Sequence, residues 1–80
     1  MFVNFKKIAV CLPSYNESEN ISNITLIVDK ALKKYNNYET YIVNADSAST
    51  DSTNEIFNNT LTESKKISLI VYVKIYIMLS

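Results

Sequence analysis

Two periods of apolar residues alternate along this chain. Ile8-Ala9-Val10-Cys11-Leu12 is a short apolar run, rich in β-branched residues, that Pro13 closes. It reads as a buried strand over 7–12. Pro13-Ser14-Tyr15-Asn16 has the chemistry of a turn. Asn16 is then expected to cap a helix, with Glu19 three residues on as its reciprocal partner. From Ile21 the period becomes helical. Ile21, Ile24, Val28, Ala31, Leu32 and Tyr35 form one stripe, with Leu26 off it and Ile27 at its flank. Lys30, Lys33 and Lys34 suit the last turns and read as a solvated face; Asn36-Asn37 is the expected C-cap.

Glu39 to Val43 predicts a second strand, and Asn44 to Thr50 a loop. A second helix is expected from near Asp51, with Ser52 and Glu55 at capping-box spacing. Its inner face would be Thr53, Ile56, Phe57, Thr60 and Leu61. After a polar break at 63–66, Ile67 to Leu79 is a third apolar run, long for a strand. It reads as a two-sided strand lacking partners or as a tail. The order is βαβαβ, an α/β pattern of three mostly parallel strands and two helices, with right-handed crossovers. One partial domain over 1–80 is expected, with 7–66 as its main part and 67–80 as the third strand or tail.

Composition narrows the chemistry. Eighty residues allow one small domain, and the 48% apolar content suffices for a core. Eight lysines balance eight acids, and there is no Arg, so no basic field points to nucleic acid. With no His, the usual zinc ligand, general base and Ser-His-Asp triad are missing from the chain. Cys11 is alone, and its apolar neighbours predict a small buried core residue. No run reaches the roughly 20 apolar residues of a membrane helix, and no signal peptide is evident, so a cytoplasmic location is expected. The four N-x-S/T matches, at Asn16, Asn20, Asn23 and Asn58, read as chance.

Asp46-Ser47-Ala48-Ser49-Thr50-Asp51-Ser52-Thr53 follows the second strand. Open α/β sheets bind ligands beyond the carboxyl ends of their strands, beside helix N-termini. An acid there suits a ribose or base, since it repels phosphate. As pattern alone, Asp51 reads equally as a helix cap and Asp46 as a solvated turn residue.

The stretch from Ile8 through Pro13-Ser14-Tyr15-Asn16-Glu17 to Ile21 resembles the opening of the family 2 glycosyltransferases, which reads P-[ST]-x-N-E after an apolar strand. Asp46 to Thr53 is similar to that family's second signature, D-D-G-S-x-D-x-T. Ser47 stands where the second Asp is usual, and Ala48 and Ser52 where Gly is usual. The resemblance covers residues 7 to about 70, the first third or so of a typical domain of the family. It implies a GT-A, Rossmann-like fold and a nucleotide-sugar donor whose sugar passes to an acceptor. It also implies a nucleotide-sugar-binding set of Pro13, Ser14, Tyr15, Glu17, Asp46 and Asp51. The family's divalent metal, Mg or Mn, is held by a later D-x-D that 54–80 does not contain, and the acceptor-side base is also absent. The expectation is a donor-nucleotide-binding fragment, inactive alone. The alternatives are a non-catalytic truncated or degenerate product, or a small α/β interaction module.

Overall fold

The computed structural model of the chain describes residues 6–71. The element order is β1 (Lys6–Ser14), α1 (Ile21–Leu32), β2 (Tyr38–Asp46), α2 (Thr53–Asn59) and β3 (Lys65–Ile70). The strands form one sheet in the order β1-β2-β3, parallel throughout. The expected α/β arrangement of three strands and two helices is therefore present. Of the third apolar run, 67–70 lie in β3, which begins earlier at Lys65; 72–79 lie outside the described residues.

Two successive crossovers in one direction bring both helices over the same sheet face. Ile8, Val10 and Leu12 point to that face and pack against Ile21, Leu32, Ile42 and Phe57, all buried. The opposite face has no cover among the described residues. Ala9, Cys11 and Pro13 are exposed there, beside Ile67 and Leu69. Cys11 is thus a surface thiol, not a core residue. Parallel strands are usually buried on both sides, which is what its apolar neighbours suggested.

Helix α1 starts later than Asn16. Glu17 accepts the N–H groups of Asn20 at 3.0 Å and Ile21 at 2.8 Å, forming a turn ahead of the helix. Asn20 holds the N-cap position without a side-chain bond, so the Asn16–Glu19 box does not form. At the other end Lys33, not Asn36-Asn37, is the C-cap. The buried side of α1 is rotated from the expected stripe. Thr25 and Asp29 are buried, whereas Ile24, Ala31 and Tyr35 are exposed.

Both polar intruders have partners. Thr25 Oγ1 donates to the Ile21 carbonyl at 2.7 Å. The Asp29 carboxylate accepts the N–H groups of Glu63 (3.1 Å) and Ser64 (2.9 Å), fixing the turn into β3. Helix α2 also differs at its ends. Ser52 makes no side-chain cap bond, and Leu61 is 90% exposed. Beyond its C-terminus, Lys66 Nζ donates to the carbonyls of Phe57 (3.0 Å), Asn58 (2.7 Å) and Thr60. No helix among the described residues is long and apolar enough to cross a membrane.

Candidate functional site

Parallel register sets Ser14 beside Asp46, the last residues of β1 and β2. The two loops that leave these strands, 15–20 and 47–52, therefore start side by side. Ser47 N–H donates to the Ser14 carbonyl at 2.8 Å and so extends the pairing by one residue. Pro13, Ser14, Tyr15, Glu17, Asp46 and Asp51 all belong to this end of the sheet.

Asp46 is buried at its centre. One oxygen, Oδ1, accepts from Ser14 Oγ at 3.0 Å and from Ser49 Oγ. The other, Oδ2, accepts from Ser49 N–H at 2.6 Å and Asn54 Nδ2 at 3.1 Å. Burial pushes this carboxyl's pKa up, but the bonds from Ser49, Asn54 and Ser14 outweigh it and hold the pKa below its ordinary value. Asp46 is thus a structural anion that shapes the turn, with both oxygens engaged inside the chain. The solvated turn residue of the pattern-based alternative is not what is found.

Asn44 and Asn54, neither of them among the expected site residues, complete this network. Asn44 is buried, accepts Ser14 Oγ at 2.5 Å and donates to Asn54 Oδ1 at 3.0 Å. Ser68 Oγ of β3 reaches the same Asn54 oxygen at 3.4 Å. Asn54 thereby joins α2 to β2 and β3, and through Asn44 and Asp46 to Ser14 of β1. The available signal was a polar Asn44 directly after the apolar run Tyr41-Ile42-Val43.

Three consecutive N–H groups of the first loop donate to side chains of the second loop and of Thr53, the first residue of α2. Asn16 N–H reaches Ser49 Oγ at 2.9 Å, Glu17 N–H reaches Thr53 Oγ1 at 2.9 Å, and Ser18 N–H reaches Asp51 Oδ2 at 3.3 Å. In return, Asn16 Oδ1 accepts Thr50 N–H at 2.9 Å. Successive amides of this kind are what an anion uses in phosphate-binding turns. Here the chain's own oxygens fill them.

Asp51 also accepts Thr53 N–H at 3.0 Å and the Thr53 hydroxyl, which caps α2. The Thr53 hydroxyl bond is the main reason its pKa lies below the ordinary value. Asp51 and Tyr15 are exposed, Tyr15 by 58%; Glu17 is half-buried. Among the described residues, two adopt positive φ, Asn16 at 49° and Ala48 at 58°. The second is a position where the resembling motif has Gly, and the turn keeps the left-handed geometry without it.

Among the described residues, no group of three His, Cys, Asp or Glu side chains could hold a metal ion. The residues present do not fit the divalent metal that the resemblance implies for a whole domain, and no chemical step is derived through one. Comparison with family models, with curated proteins and with solved structures finds no match.

Proposed function

We propose that this chain forms the donor-nucleotide side of a family 2 glycosyltransferase and binds the nucleoside part of a nucleotide sugar. The observation that supports this reading is the meeting of the two motif loops at the carboxyl ends of adjacent parallel strands, where open α/β sheets take ligands. In this reading the exposed Tyr15 ring is a platform for the base. Asp51, still open to solvent, accepts from a ribose hydroxyl or base N–H. Ser14 and Asp46 hold the loops in shape from below, Pro13 lies in β1 just beneath them, and Glu17 belongs to the first loop. Filled amide donors and unneutralised carboxylates disfavour the phosphates, so the diphosphate and its metal would be handled by residues outside this set.

Isothermal titration of the chain with UDP, with and without Mn²⁺, tests the reading. Saturable binding that Tyr15→Ala or Asp51→Ala weakens about tenfold, a loss of about 1.4 kcal/mol, is expected. Absence of binding to the wild-type chain would sink it.

One observation favours a second reading, a non-catalytic α/β module whose loops are only a clasp. Both Asp46 oxygens are consumed internally, so this acid has a sufficient structural reason. Absence of nucleotide binding in the same titration is the result expected from that reading.

A further inference from the structure

The sheet has a bare edge next to an apolar hollow. Among the described residues no strand pairs with β1 on the side away from β2. Beside that edge, α1 and β1 line a hollow of about 440 Å³ with Ile8, Val10, Ile27, Val28, Ala31 and Tyr35. Ile27 is 59% exposed and Tyr35 38% exposed. An unpaired strand edge flanked by exposed apolar side chains is a template for another strand.

We infer that two copies of this chain pair through β1 about a two-fold axis near Val10, joining their sheets edge to edge with each α1 packed against its partner. The inference is independent of the nucleotide reading. Three features select a second copy as the occupant.

Charge is the first. β1 and α1 run in opposite directions, so Lys6 and Lys34 collect at one end of this side of the molecule, while Lys7 is already paired with Glu39 at 4.0 Å. Glu17 and Glu19 lie at the other end, between β1 and α1. A two-fold axis sets the basic end of each copy against the acidic end of the other. The patch is therefore complementary to itself, as an isologous contact requires.

Size is the second. One helix layer on one sheet layer is about 20 Å deep, and a nine-residue strand is about 30 Å long. Two such sides bury about 1,200 Å², the lower bound of a stable interface. The uncovered sheet face, three strands wide, offers about 860 Å² for a pair, below that bound. Backbone is the third. Antiparallel β1 strands would pair N–H and C=O groups that are otherwise left to water.

Light scattering after size-exclusion chromatography of the whole chain should give the mass of two chains at low salt. Added salt should weaken the pair. The axis brings the two Cys11 residues within about 10 Å of each other, on the uncovered face. A short bismaleimide should link them into a covalent dimer, and Cys11→Ser should abolish the link but not the mass. Ile27→Glu should raise the dissociation constant roughly tenfold or more, with an unchanged circular dichroism spectrum. A monomer mass at all concentrations overturns the inference. So does a dimer insensitive to Ile27→Glu, or one that Leu69→Lys on the open sheet face dissolves instead.

Discussion

Asp29, in the middle of α1, accepts the backbone N–H of Ser64 at 2.9 Å and so ties the first helix to the start of the third strand. The same carboxylate takes the Glu63 N–H. Asp29→Ala leaves two amides without acceptors in a partly buried turn. Urea denaturation should show a loss of about 2–3 kcal/mol, with little change in m.

The acid limb of stability follows from the same chemistry. Burial pushes Asp29 and Asp46 up, but the donors around them bring both below the ordinary value of 3.8, and donors also lower Asp51. A carboxyl with a depressed folded pKa binds protons more readily when unfolded. Its contribution is complete above the ordinary pKa and is lost as pH falls through the folded one. The thermal midpoint should therefore be level from about pH 7 to 5 and fall below about pH 4. A midpoint that rises on acidification would contradict this.

Ala48 offers the opposite sign. A Cβ at φ 58° is strained, and glycine removes that strain at the expense of a floppier unfolded chain. Ala48→Gly should stabilise the chain by about 0.5–1 kcal/mol, measurable as an upward shift of the urea midpoint.

At the centre of the loops, Asp46→Asn replaces one acceptor oxygen with an NH₂ donor. Whichever way the amide turns, it faces a donor, Ser49 or Ser14 on one side and Ser49 N–H or Asn54 on the other. A loss of about 2–3 kcal/mol is expected by denaturation. If nucleotide affinity falls for this variant, the fall should track its lost stability, whereas for Tyr15→Ala it should not.

Cys11 gives a kinetic check on the uncovered face. As an exposed thiol it should react with a small maleimide in native buffer about as fast as in urea. Strong native protection would mean that something covers that face.

The element order was legible because each period changes where an element changes. Pro13 and the hydroxyl-rich turn at 46–53 mark strand ends, and the 3.6 period from Ile21 marks α1. Burial was less legible. Thr25 and Asp29 look like surface positions until the Ile21 carbonyl and the Glu63–Ser64 amides are beside them, and those partners are distant in sequence or hidden in the backbone. Cys11 looked buried because a parallel strand carries apolar residues on both sides, whether or not both sides are covered. At the site, all six candidate residues were readable as lying near strand ends, but Pro13, Ser14 and Asp46 belong to the strands themselves and not to the turns expected there. The division of labour between a saturated Asp46 and an open Asp51 was not, since it depends on Asn44 and Asn54 reaching across three strands.

The lacing of loop 15–20 to loop 47–52 bears on the thermodynamics of anything that docks there. Side chains already hold the amides of Asn16, Glu17 and Ser18, and Asn16 already holds Thr50. A ligand would meet a cradle that is assembled beforehand, so little chain entropy remains to be lost on binding. Its heat-capacity change should then be small, set by the ligand's own contact area and not by loops folding around it.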